Sequence, residues 1–80
     1  MTARQLQLVV AFLSTADAMA FEDAARESQL PGRLIPVPAQ IAEGCGLAWK
    51  TDCRERENVM RLLETRGLHC DRLAELELLR

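Results

Sequence analysis

The chain has 80 residues, of which 49% are hydrophobic and 28% charged, enough for one modest core and too short for two, so a single domain over 1–80 is expected. A formal net charge of -2 offers no basic footprint, which argues against a nucleic-acid partner. Three cysteines, an odd number without C-x-x-C or paired-histidine spacing, argue against a disulfide framework and a zinc site. They fit free thiols in a reducing, cytoplasmic setting, with no metal and no cofactor expected.

The N-terminus imitates a secretory signal, with Arg4, the apolar run Leu8–Leu13 and "AMA" at 18–20. That run is shorter than the usual ~7–15 residues, and Asp17 stands beside the supposed cleavage point. No stretch approaches the ~18 apolar residues of a membrane span, so no membrane partner is expected. Leu6–Leu13 instead reads as a central strand. Leu6, Leu8, Val10 and Phe12 share one face, and Val9, Ala11 and Leu13 the other.

Ser14-Thr15-Ala16-Asp17 is an S-x-x-D capping box that starts a helix. Its inward stripe is Ala18, Phe21, Ala25 and Ser28, with Ala24 beside it, and it should stop before Pro31-Gly32. "RLIPVP" (33–38) is a second strand, placed at a sheet edge because its prolines lack backbone donors. Residues 39–44 are a loop or a single helical turn, and "CGLAWK" (45–50) opens a third strand. Asp52 with Glu55 repeats the capping signal for a second helix that begins at Cys53 and buries Val59, Met60, Leu62 and Leu63. Gly67 is a left-handed stop with Leu68 as its apolar contact. Residues 68–78 alternate as a fourth strand, with a short C-terminal helix as the alternative.

The order strand, helix, strand, strand, helix, strand is that of the ferredoxin-like βαββαβ fold, an α+β class. It predicts a four-stranded antiparallel sheet in the order 4-1-3-2, with two helices on one face and right-handed crossovers. This topology brings the start of strand 3 to the end of strand 1, which is also the start of the first helix. Cys45, flanked by Gly44 and Gly46, then lies near Ser14 and Thr15. A helix N-terminus lowers the pKa of a thiol beside it. Strand 4 starts at the same end and adds His69 and Cys70 as auxiliary candidates, His69 as a base.

Three further residues have plainer readings. Cys53 reads as an incidental helix-start residue, Cys70 as strand packing, and Trp49 as core or dimer surface. Cys45 and Cys53 are separated by a strand on the order of 25 Å long, and Cys45 and Cys70 by two strand spacings, roughly 10 Å. Neither pair can bridge without movement, so a self-contained dithiol oxidoreductase is disfavoured.

"AFLSTADAM" at the first strand–helix junction, "GRLIPVP" in the second strand and "CGLAWK" at the third together resemble the selenium/sulfur (Se/S) carrier protein-like family. These are short bacterial domains with a Cys-Gly-Leu-Ala motif after an Ile/Val-Pro-x-Pro strand. The resemblance runs over about residues 6–76. It implies that Cys45 is the reactive cysteine, carrying sulfur or selenium as a persulfide or selenopersulfide. It also implies donor and acceptor proteins as partners, and a relay rather than a self-contained enzyme. The alternative is a small interaction or regulatory module without chemistry. The apolar residues on both faces of strand 1 would then bury the uncovered sheet face in a homodimer.

Overall fold

A computed structural model describes residues 4–38 and 46–79. Its elements run β1 (Arg4–Ala11), α1 (Thr15–Glu27), β2 (Arg33–Pro36), β3 (Leu47–Asp52), α2 (Arg56–Thr65) and β4 (Arg72–Leu79). The four strands form one antiparallel sheet in the order β2-β3-β1-β4, the predicted order read from the other edge. This is the α+β arrangement of the ferredoxin-like fold. Residues 39–45, which the sequence reading gives to a loop or turn and to the opening of a strand, lie outside the described residues.

β1 is central because its sequence is apolar on both faces, and Leu8, Val9 and Val10 all have 0% exposure. The alternation splits the apolar residues into two clusters. On one side Leu8, Val10 and Phe12 join Trp49 of β3 and the inward residues of both helices, among them Phe21 and Val59. Phe21 sits between Phe12 and Trp49, with ring centroids at 5.5 and 5.4 Å, the second pair edge-on. Such aromatic pairs contribute about 0.5–1.5 kcal/mol each beyond area burial. On the other side Val9, Ala11 and Ala48 are buried, with Ile35, Val37, Ala74, Leu76 and Leu78 packed around them and partly exposed.

Both helices start and stop by local chemistry. Ser14 is extended (φ -143°, ψ 158°) and its Oγ accepts the Asp17 N–H at 3.1 Å, as the capping box predicts. α1 ends in a Schellman motif: the Leu30 N–H donates to the Ala25 carbonyl at 2.8 Å and the Gln29 N–H to Arg26 at 3.2 Å. The left-handed position is filled by Gln29, at φ 57°, two residues before Pro31. Ser28 is therefore the exposed C-cap, not part of the inward stripe, which is Ala18, Phe21, Ala24 and Ala25. α2 ends in the same motif, with Leu68 donating to Leu63 at 2.9 Å and Gly67 at φ 61°.

Other boundaries differ from the sequence reading. Asp52 does cap, its Oδ1 accepting the Arg54 N–H at 2.9 Å, but the capped turn is a 3₁₀ turn, Cys53–Glu55, and α2 begins only at Arg56. Met60 is 49% exposed, because the sheet-facing stripe of α2 runs through Val59 and Leu62, and Met60 is turned about 100° from Val59. Leu6 and Leu13 are exposed as well, the first near the open start of β1 and the second beyond its end. The last residues of β4 are strand to Leu79, not helix, because their register follows β1 to Arg4. β2 stops at Pro36, two residues short of the predicted strand.

Candidate functional site

The sequence reading puts the site at the end of the sheet where β1 finishes. There Ala11 stands opposite Ala48 of β3 and Arg72 of β4. Beyond Ala48 toward the start of β3 comes Gly46, whose carbonyl accepts the Val37 N–H at 2.9 Å and so extends the β2–β3 ladder by one rung. On the other flank of β1, the Asp71 N–H donates to the Ala11 carbonyl at 2.7 Å, which places the turn carrying His69 and Cys70 at the same end. Between them the chain leaves β1 and enters α1 through Ser14 and Thr15. Five of the seven sequence-selected positions, namely Ser14, Thr15, Gly46, His69 and Cys70, therefore share one end of the sheet. Gly44 and Cys45 lie outside the described residues.

Gly46 adopts φ +83°, a left-handed conformation that side chains disfavour, and a Cβ built there would meet nothing within 4 Å. Its glycine is thus a backbone requirement, and none of the described residues crowds the space beside it. Ser14 and Thr15 bring the N-terminus of a 13-residue helix to the same end, where partial positive charge favours an anion.

The two described thiols are poorly suited to nucleophilic work. Cys70 is half-buried against the helix-side core, and burial, then the neighbouring Asp71 carboxylate, pushes its pKa up. Cys53 stands at the opposite end of the sheet, where its Sγ donates to the Leu6 carbonyl at 3.5 Å. Desolvation and then the charges of Glu75 and Asp52 raise its pKa, against an opposing pull from Arg56. Both stay protonated thiols at neutral pH, and the thiolate is the reactive form. His69 is exposed, and among the described residues no hydrogen bond holds its ring toward either thiol. Trp49, at 4% exposure, is core.

Among the described residues no group of three or more His, Cys, Asp and Glu could hold a metal ion. No described helix is long and apolar enough to cross a membrane. Sequence reasoning missed one feature, the packing of Gly32 against the indole of Trp49. Pro31-Gly32 carries a signal for it, but that pair reads from sequence only as a helix stop.

A family model described as "Putative Se/S carrier protein-like" matches residues 7–75, from the start of β1 into β4. No curated protein and no solved structure matches the chain. The matched region includes every element that builds this end of the sheet, and the chain belongs to the Se/S carrier protein-like family.

Proposed function

We propose that the protein is a sulfur or selenium relay in which Cys45 holds the chalcogen as a persulfide or selenopersulfide. The observation that carries this reading concerns the two described thiols and the residue bonded to Cys45. Cys53 and Cys70 have raised pKa values, whereas Cys45 is bonded to Gly46, at the end of the sheet where α1 begins. A relay needs one activated, reachable sulfur and no second thiol.

The transfer balances without any oxidant. The Cys45 thiolate attacks the outer sulfur of a donor persulfide, R–S–SH. The new bond joins Cys45 Sγ to that sulfur, the donor S–S bond breaks, and the donor thiolate leaves. Unloading repeats the step in reverse sense: an acceptor thiolate takes the outer sulfur and Cys45 leaves as the thiolate. The helix N-terminus stabilises the anion at the start of loading and at the end of unloading. Gly46 keeps bulk away from the line of attack. Donor and acceptor are proteins that present a persulfide and a thiolate.

Alkylation of the native protein over a pH series, mapped by peptide mass, tests the assignment. Cys45 should label first, with an apparent pKa below the ordinary value of about 8.5. Faster labelling of Cys53 or Cys70 at neutral pH would show that the wrong sulfur had been chosen.

One observation favours a second reading, an interaction module that dimerises through its sheet. The cluster of Val9, Ala11 and Ala48 is ringed by Ile35, Val37, Leu76 and Leu78, which are only partly covered. Sedimentation distinguishes it: a dimer at micromolar concentration with ordinary reactivity at Cys45 supports the module, and a monomer counts against it.

A further inference from the structure

Beside the middle of β3, where the start of β2 meets the C-terminal half of α1, the surface has a cleft of about 270 Å³ lined by Glu22, Arg26, Leu30, Gly32, Arg33 and Trp49. Trp49 is 4% exposed, and among the described residues its buried Nε1–H has no hydrogen-bond acceptor. A buried indole N–H ordinarily has a partner, and an orphaned donor costs free energy that an arriving acceptor would recover. Gly32 stands against this nitrogen at φ +135°, and a Cβ there would fall 2.6 Å from Nε1, 2.8 Å from Cε2 and 2.5 Å from the Lys50 carbonyl oxygen. Only glycine leaves that edge of the indole unfilled.

The charges around the cleft fix the sign of the acceptor. Arg33 makes no ion pair among the described residues. Arg26 has contacts to Glu22 and Asp23 at 3.7 and 3.5 Å, longer than a charge-assisted hydrogen bond, and its side chain is 70% exposed. It can turn toward an anion without breaking a tight pair. Glu22 and Asp23 share Arg26, so Arg33 is the cation left without a carboxylate among the described residues, and a single such cation matches a monoanion better than a dianion. Leu30 supplies an apolar wall.

We propose that this cleft binds the carboxylate of a small organic acid, with the Trp49 indole N–H as its buried donor and Arg26 and Arg33 as its cations. A planar carboxylate can accept from a guanidinium fork and from the indole together. Its apolar substituent would lie on Leu30. The site is built from α1, the start of β2 and Trp49, and the proposal does not depend on the relay reading.

Trp49 is the single tryptophan, so its indole N–H resonance is unambiguous in a nitrogen–proton correlation spectrum of the whole chain. The probe is isobutyrate, titrated at constant ionic strength against chloride, with sulfate in a parallel series. The expected result is a saturable shift of the indole proton with isobutyrate. Affinity should be at least about tenfold weaker in Arg26→Gln/Arg33→Gln, two exposed positions whose replacement should leave the fold intact. Cys45→Ser should bind as the wild type does, which keeps this test independent of the carrier chemistry. An indole proton that does not move would mean that isobutyrate does not reach the donor, and the proposal would fall. Tighter binding of sulfate, or unchanged affinity in the double variant, would overturn it equally.

Discussion

Gly46→Ala and Gly67→Ala are a matched pair that separates backbone strain from access to the thiol. Both glycines have positive φ, +83° and +61°, and at neither would a Cβ meet an atom of the described residues within 4 Å. The cost of each substitution is therefore conformational. A non-glycine residue in the left-handed region costs about 1–2 kcal/mol, offset by about 0.4–1 kcal/mol because alanine narrows the unfolded ensemble. Each variant should lose about 1 kcal/mol by urea denaturation, or about 4–8 °C in Tm for a domain of this size. Their effects on chalcogen loading should differ. Gly67 closes α2, whereas Gly46 adjoins Cys45. If about 1 kcal/mol of strain at Gly46 falls on the loading transition state, Gly46→Ala should load roughly fivefold more slowly and Gly67→Ala at the wild-type rate. Single-turnover loading followed by intact mass measures both. Equal slowing in the two variants would show that loading tracks global stability, and the role given to Gly46 would be refuted.

Gln29→Gly should stabilise the domain by up to about 1 kcal/mol, because Gln29 holds the left-handed position that glycine fills in α2; a lower urea midpoint would contradict the reading of the α1 terminus. The raised pKa of Cys70 makes a signed prediction about pH. Above the unfolded thiol pKa of about 8.5 the unfolded chain releases this proton while the folded chain keeps it. The stability tied to the neutral thiol is thus fully present below about pH 8.5 and lost as pH rises through the higher folded pKa. Urea midpoints should fall on going alkaline in the wild type and fall less in Cys70→Ala; parallel declines would show that Cys70 is not the group responsible.

Much of this fold was legible in the sequence because the deciding signals are local. The double-sided apolar pattern of residues 8–10 marks a central strand, Ser14 with Asp17 marks a helix start, and Gly67-Leu68 marks a helix end. What escaped depends on tertiary context. Gln29 carries no left-handed signature, and it takes that conformation because Leu30 must reach back to Ala25 before Pro31 turns the chain. Met60 reads as buried in an apolar run, but the sheet covers only the Val59–Leu62 stripe. At the candidate site, the convergence of Gly46, Ser14 and the His69–Cys70 turn follows from strand order alone. The burial that raises the pKa of Cys70 does not, since it needs the helix-side core as a neighbour.

The relay account rests on one covalent event at one sulfur. Purified protein incubated with a cysteine desulfurase and cysteine, then analysed by intact mass without reductant, reports that event directly. Wild type should gain one sulfur, roughly 32 Da, reversed by dithiothreitol. Cys53→Ser and Cys70→Ser should gain it equally, and Cys45→Ser should not gain it while keeping the wild-type circular dichroism spectrum. A Cys45→Ser protein that takes up sulfur as readily as wild type, or a wild type that takes up none from any sulfur or selenium donor, would contradict the account.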